Sequence, residues 1–238
     1  MSANVMVTIS EIKFPIYFII IIASIFLGML YVYMSLKKKV QLDNKFYPYF
    51  LFNILLILFL GKTFTMLTSR SSNFLTIGFS SYGGAVGNIL CALYFEKISD
   101  FKKYLIKYSI ISLPLIYSLS KIACFIVGCC HGIPYEKMFS VIYTDKLNIA
   151  VFPIQLLETI VFVLIFLFCN KFQNRKNISL ITIIMCATCK FLLDFLRYDH
   201  LNKVITINQI ISLIVIIFSV ILIIKNNNVN HKNDKEKT

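Results

Sequence analysis

The chain has 238 residues, 58% of them hydrophobic, and its 24 Lys and Arg against 11 Asp and Glu give a net charge of +13. With a mean hydropathy of +0.78, too little polar surface remains to cover a globule in water, which excludes an ordinary soluble domain. A nucleic-acid partner is excluded too, because most of the basic residues sit in short loops between apolar runs, the charge pattern of membrane topology.

Seven apolar runs follow one another, each about long enough to cross a hydrocarbon core as a helix. The first, 14–34, comes after Glu11 and Lys13 and ends in no small-residue cleavage site, so it predicts a spanning helix and not a cleaved signal. The second is 48–68. The third, 74–95, carries Gly83, Gly84 and Gly87 in its first half, and the fourth, 104–128, contains Pro114, a kink signal. The fifth, sixth and seventh are 153–169, 178–196 and 204–224. The pattern predicts an all-α polytopic membrane protein of about seven transmembrane helices, one domain over 1–224 without internal repeats. The Asn- and Lys-rich residues 225–238 are expected to form a disordered cytoplasmic tail.

Loop charge sets the orientation. Lys37, Lys38, Lys39 and Lys45 follow the first run, Lys97, Lys102 and Lys103 the third, and Lys171, Arg175 and Lys176 the fifth; Lys225, Lys232, Lys235 and Lys237 lie in the tail. The alternate side is poorer, with Lys13, Arg70, Lys137, Lys146 and Lys203. The bias predicts the N-terminus outside and the C-terminus in the cytoplasm. With that orientation the polar residues of five runs reach a similar depth near the outer face: Tyr82-Gly83-Gly84; Lys121, Cys124, Cys129, Cys130 and His131; Gln155 and Glu158; Lys190, Asp194 and Arg197; Asn208 and Gln209.

On a continuous helix Lys190, Asp194 and Arg197, spaced i, i+4 and i+7, share one face. Two cations against one carboxylate leave surplus positive charge, and a charge facing lipid is costly, so this face is expected to line a cavity or the bundle interior. Lys121, Gln155 and Glu158 are the candidates to face it. Such a cavity suits an anion, phosphate above all. Blander readings stand beside this one: Lys190 and Asp194 as a pair that fixes helix packing, and Gly83-Gly84-x-x-Gly87 as a packing surface. The seven cysteines lie mostly in apolar runs, where a thiol acts as a small hydrophobe. Adjacent cysteines rarely ligate one ion comfortably and only one histidine is near, so Cys129-Cys130-His131 is not expected to hold a metal; a vicinal pair is also a poor disulfide.

Five segments, in order, resemble the prolipoprotein diacylglyceryl transferase family. Ser81-Tyr82-Gly83-Gly84-Ala85-Val86-Gly87 is similar to its aromatic-or-His, Gly-Gly, small-Gly segment. Residues 120–132, Ser-Lys-Ile-Ala-Cys-Phe-Ile-Val-Gly-Cys-Cys-His-Gly, resemble its signature Gly-Arg-x-Gly-Asn-Phe-x-x-Gly-Glu-x-x-Gly. Pro153-Ile154-Gln155-Leu156-Leu157-Glu158 is similar to Pro-x-Gln-Leu-Tyr-Glu, residues 190–197 to Arg-x-x-x-Glu-x-x-Arg, and Asn208-Gln209-Ile210-Ile211-Ser212 to Gly-Gln-x-x-Ser. The resemblance implies transfer of a diacylglyceryl group from phosphatidylglycerol to the lipobox cysteine thiol of a preprolipoprotein, in the bacterial plasma membrane, with membrane lipid as the surroundings and no cofactor. The chain departs from the pattern at Lys121 and Lys190 for Arg, Cys124 for Asn, Cys129 and Asp194 for Glu, and Tyr82 for a frequent His. Lys keeps the charge but loses the bidentate fork of Arg.

Two classes of function follow. As an enzyme, Lys121, Lys190 and Arg197 hold the phosphate, with Gly83, Gly84 and Gln155 as further substrate contacts; Glu158 and Asp194 orient the cations, and His131 or Tyr82 accepts the thiol proton, His131 having the better-placed ordinary pKa. Direct transfer leaves the chain's own cysteines dispensable, whereas a variant uses Cys129 as the nucleophile. As a non-enzyme, the chain binds a lipid or anion, or transports one. Polar groups gathered near one face count against transport, whose sites tend to lie at the midplane.

Overall fold

The computed structural model describes residues 5–7, 13–41, 44–69, 78–99, 101, 104–143 and 149–235; Glu11, Arg70, Lys102, Lys103, Lys146, Lys237 and the start of the third apolar run lie outside them. Seven α-helices occur among the described residues: α1 (Lys13–Lys37), α2 (Phe46–Ser69), α3 (Ser81–Ile98), α4 (Tyr104–Val127), α5 (Ile154–Lys171), α6 (Ile178–Asp194) and α7 (Ile207–Lys235). Five of them, α1, α2, α4, α5 and α7, are long and apolar enough to cross a membrane. The protein is an all-α polytopic membrane protein, as its hydropathy predicts.

Three boundaries differ from the sequence reading. Ser80, just before α3, is extended (φ −87°, ψ 123°) and its amide donates to the Gly61 carbonyl (3.1 Å), so the helix starts at Ser81, later than the apolar run, and Tyr82-Gly83-Gly84 occupies its first turn. α6 stops at Asp194, before the end of its run. α7 continues to Lys235, past the point where an irregular tail is expected. No Pro or Gly interrupts 225–235, so nothing in the backbone forces the helix to stop there.

The chain gathers into two compact units, Met1–Ile20 with Ser118–Thr238, and Ile21–Tyr117. In the second unit α3 packs on α2 through glycines. A Cβ on Gly87 would lie 2.8 Å from the Leu56 carbonyl oxygen, and one on Gly83 would collide with the Leu60 carbonyl. Small residues let helix backbones approach where lipid gives no hydrophobic drive for association. A buried polar chain accompanies this contact. Asn53 Nδ2 donates to Asn88 Oδ1 (3.0 Å), Asn88 Nδ2 donates to the Ser109 carbonyl (2.9 Å), and the Tyr49 hydroxyl bonds to Ser109 Oγ (2.8 Å). Asn88 is paired through both its oxygen and its nitrogen, which avoids the cost of unsatisfied polar groups in an apolar interior.

The first unit holds α5, α6, α7 and residues 118–127 of α4. It also holds a small sheet that hydropathy does not signal: β1 (Val5–Val7) runs parallel to β2 (Val141–Tyr143), which pairs antiparallel with β3 (Ala150–Val151). The segment after α4 is tied down on two sides. Ile133 N donates to the Leu196 carbonyl and Tyr198 N to the His131 carbonyl, both at 3.0 Å, next to the Gly132–Arg197 bridge. Tyr135 N donates to the Ala150 carbonyl (2.9 Å) and Phe152 N to the Ile133 carbonyl (3.0 Å). These bonds register the ends of α4 and α6 and the start of α5 against one another.

The α2–α3 contact leaves no room for a methyl group at Gly87. Gly87→Ala is expected to cost about 1–3 kcal/mol through overpacking, read as a lower midpoint of thermal unfolding in detergent. Val86→Ala, at an exposed neighbour, is expected to leave the midpoint unchanged. A Gly87→Ala midpoint equal to that of the unmodified protein contradicts the packing account.

Candidate functional site

The best-defined polar cluster lies in the first unit and centres on Glu158, in the second turn of α5. Its Oε2 is 2.7 Å from Lys121 Nζ on α4, and its Oε1 is 2.6 Å from Arg197 Nη2, three residues past α6. Glu158 and Lys121 are buried and Arg197 is half-buried. Arg197 Nε also lies 3.7 Å from Asp194 Oδ1. One carboxylate thus joins cations from two other elements, and one of those cations reaches a second carboxylate.

Arg197 does not sit where helical spacing places it. α6 unwinds beyond Asp194 through Leu196 N to the Leu193 carbonyl and Arg197 N to the Asp194 carbonyl, both 3.1 Å, and Arg197 itself is extended (φ −91°, ψ 146°). The expected single helix face of Lys190, Asp194 and Arg197 is therefore broken after Asp194. The bridge to Gly132 supplies the reason, since it takes the Arg197 backbone out of the helical ladder. Lys190 remains on α6 within electrostatic range of Lys121, Arg197 and Glu158.

Gln155 is fully buried one turn before Glu158, and its Nε2 donates to the Cys129 carbonyl (2.7 Å). That bond fixes the chain just after α4. His131 is half-buried, its ring 5.0 Å from that of Tyr143. Tyr82, Gly83 and Gly84 belong to the other compact unit, where Gly83 packs on α2 and Gly84 on Phe79 and Ile57.

Two further features stand out here. Thr206 Oγ1 donates to Asp194 Oδ2 and accepts from Gln209 N (3.2 Å), while Gln209 Oε1 accepts from Thr206 N (3.0 Å). This is a reciprocal capping box at the start of α7. The Thr-x-x-Gln pattern before an apolar run was its signal, and it assigns Gln209 to helix capping. The second feature is a thiol cluster. The Sγ atoms of Cys124, Cys129 and Cys130 all lie within 4.8 Å of one another, with Cys124 buried, Cys129 half-buried and Cys130 exposed. Hydrogen bonds from the Cys124 and Cys129 thiols, with the positive charges of Lys121 and Arg197 nearby, hold the Cys130 thiol well below the usual thiol range.

Removing one partner of a buried ion pair strands the others. Glu158→Ala leaves Lys121 and Arg197 without their shared carboxylate and is expected to cost about 3–5 kcal/mol, measured by thermal unfolding in detergent. The double change Glu158→Met with Lys121→Met is expected to cost less than Glu158→Ala, because it removes charges on both sides. A Glu158→Ala midpoint within error of the unmodified protein contradicts a structural ion pair.

The model of the prolipoprotein diacylglyceryl transferase family matches residues 4–225. A phosphatidylglycerol–prolipoprotein diacylglyceryl transferase of Clostridium tetani is 27% identical over 154 residues, covering 60% of this chain and 62% of that protein. The chain thus spans less than two thirds of this relative's length. All the residues of the Glu158 cluster fall inside the family match, as do all seven segments that hydropathy marks as spanning. The chain belongs to the prolipoprotein diacylglyceryl transferase family.

Proposed function

We propose that the chain transfers a diacylglyceryl group from phosphatidylglycerol to the lipobox cysteine thiol of a preprolipoprotein. The observation that carries this reading is the pair of cations, Lys121 and Arg197, held 2.7 and 2.6 Å from one buried carboxylate. A guanidinium has five donors and an ammonium three, so the pair is able to keep Glu158 and grip a phosphate as well. Lys190 adds positive charge within range.

In this reading the thiol gives its proton to His131 and the sulfur attacks the glycerol carbon that carries the phosphate. The carbon–oxygen bond breaks and glycerol phosphate leaves with the electron pair. Lys121 and Arg197 stabilise the charge that grows on the leaving phosphate. Glu158 and Asp194 act as positioning residues, and Gln155 fixes the Cys129 backbone beside them. Tyr82, Gly83 and Gly84 enter this reading through the resemblance of their segment. The N-terminus lies outside and the C-terminus in the cytoplasm, which puts the outer ends of the spans where exported precursors present their cysteine.

The test uses the full chain in nanodiscs containing phosphatidylglycerol, with a lipobox peptide. The peptide is expected to gain the mass of a diacylglyceryl thioether, and nanodiscs of phosphatidylcholine are expected to give none. Arg197→Ala is expected to lower the rate about 100-fold or more, the scale of a lost charge-stabilising donor, with partial rescue by Arg197→Lys. Specific, saturable phosphatidylglycerol binding without any transfer would favour the non-catalytic lipid-binding reading instead.

Orientation has its own test. A tag after Thr238 is expected to be labelled only once the membrane is permeabilised. Labelling in intact cells would reverse the orientation and remove the argument for an outward-facing site.

A further inference from the structure

We propose that Cys124, Cys129 and Cys130 form a three-thiolate site for a thiophilic metal ion of the zinc(II) class, with an open position that takes the acceptor thiol. The thiol step rests on the transfer reading above; the metal site does not.

Three observations carry the site. The first is convergence. A zinc–sulfur bond of about 2.3 Å puts tetrahedral thiolates about 3.8 Å apart. The three sulfurs already lie within 4.8 Å of one another, so closing on an ion asks little of them. The second is the backbone that brings adjacent cysteines to one place. Along an extended strand neighbouring side chains point to opposite faces. Here Gly128 and Cys130 both take positive φ, 61° and 56°, and Cys129 N donates to the Cys124 carbonyl at 3.0 Å. The chain therefore coils back over the last turn of α4. A non-glycine residue in this region carries a conformational cost that its surroundings must hold in place. The Gln155 bond to the Cys129 carbonyl and the strap from His131 to Tyr198 do so.

The third observation is electrostatic. Three thiolates around a divalent ion leave one net negative charge, and Lys121 and Arg197 lie within range of Cys130 to offset it. Soft thiolate donors select zinc(II) and copper(I) over hard cations. Buried cysteines such as Cys91 and Cys169 fit the small-hydrophobe reading; three converging thiols graded from buried to exposed do not. Two of the three, Cys124 and Cys129, stand where the resembled signature has Asn and Glu.

A site with three protein ligands keeps a fourth position for water or substrate. A thiol that binds there is deprotonated by the ion, and its proton passes to His131, the acceptor in the transfer reading. The bound sulfur then forms its bond to the glycerol carbon, the carbon–oxygen bond breaks, and glycerol phosphate leaves with the electron pair. The thioether product is neutral, so it coordinates more weakly than the thiolate and is released. This gives the chain a way to generate the thiolate where a carboxylate is missing.

The experiment titrates cobalt(II) into the full chain, purified in detergent, reduced and stripped of metal. One ion per chain is expected, with thiolate-to-cobalt charge-transfer absorption and the visible bands of a tetrahedral site, displaced by zinc(II). Cys124→Ser, Cys129→Ser and Cys130→Ser should each weaken binding at least tenfold, while Cys91→Ser and Cys169→Ser leave it unchanged. Adding a lipobox peptide should shift the cobalt bands, and its Cys→Ser analogue should not. Absence of cobalt binding to folded chain, binding that survives the three serine variants, or a native disulfide joining Cys124 to Cys129 or Cys130 would overturn the site. Bands that ignore the peptide thiol would overturn the open position. A chain that binds cobalt but transfers no lipid removes the transfer reading and leaves the metal site standing. Full transfer by metal-free protein removes the metal's role alone.

Discussion

A carboxylate taken out of water must be met by positive charge or it will not stay ionised. Glu158 meets that constraint twice, with Lys121 from α4 and Arg197 from beyond α6. The rest of the first unit can be understood as what makes the triple contact reachable. Gln155, on the same helix, holds the chain after α4 through the Cys129 carbonyl. The strap over 131–135 then joins that chain to the end of α6 and the start of α5. Arg197 leaves the helical ladder at the point where it bridges Gly132, and so delivers its guanidinium to Glu158.

The polar groups of this unit divide by what they bond to. Thr206 and Gln209 satisfy the first turn of α7 and tie Asp194 to it. Asp194 therefore has two tasks, as an acceptor for Thr206 and as a second carboxylate beside Arg197. Lys121, Glu158 and Arg197 pair with one another across elements, so each of these charges meets an opposite one inside the apolar bundle. The cost of such a cluster inside an apolar bundle is high, and a ligand that adds negative charge to it lowers that cost.

Hydropathy alone located the seven α-helices among the described residues, five of them long and apolar enough to span, because few other constraints compete along an apolar run. It misplaced ends where tertiary contacts decide. Ser80 is pinned to Gly61, so α3 begins late; Arg197 is pinned to Gly132, so α6 ends early. That Lys121 and Glu158 belong to one polar cluster is legible, since each is a rare ion near the same end of its span. The pairing of Glu158 with Arg197 was not readable from helical spacing, because Arg197 is no longer helical. The small sheet is built from two- and three-residue strands, too short for any periodic pattern. The sequence argues against a metal at Cys129-Cys130-His131, since adjacent cysteines rarely ligate one ion comfortably and only one histidine is near; the turn with positive φ at Gly128 and Cys130, which gathers the three thiols, is not visible in it. The capping box was written plainly as Thr206-x-x-Gln209 ahead of an apolar run and was simply overlooked.

The central claim is that the cations gathered on Glu158 form a seat for a phospholipid phosphate. Native mass spectrometry of the chain released from mixed phosphatidylglycerol and phosphatidylcholine nanodiscs tests it most directly. The account predicts that phosphatidylglycerol is retained in preference, and that the preference disappears in the folded double variant Lys121→Met with Arg197→Met. Equal retention of the two lipids by the unmodified chain, or an undiminished preference in the double variant, would contradict it.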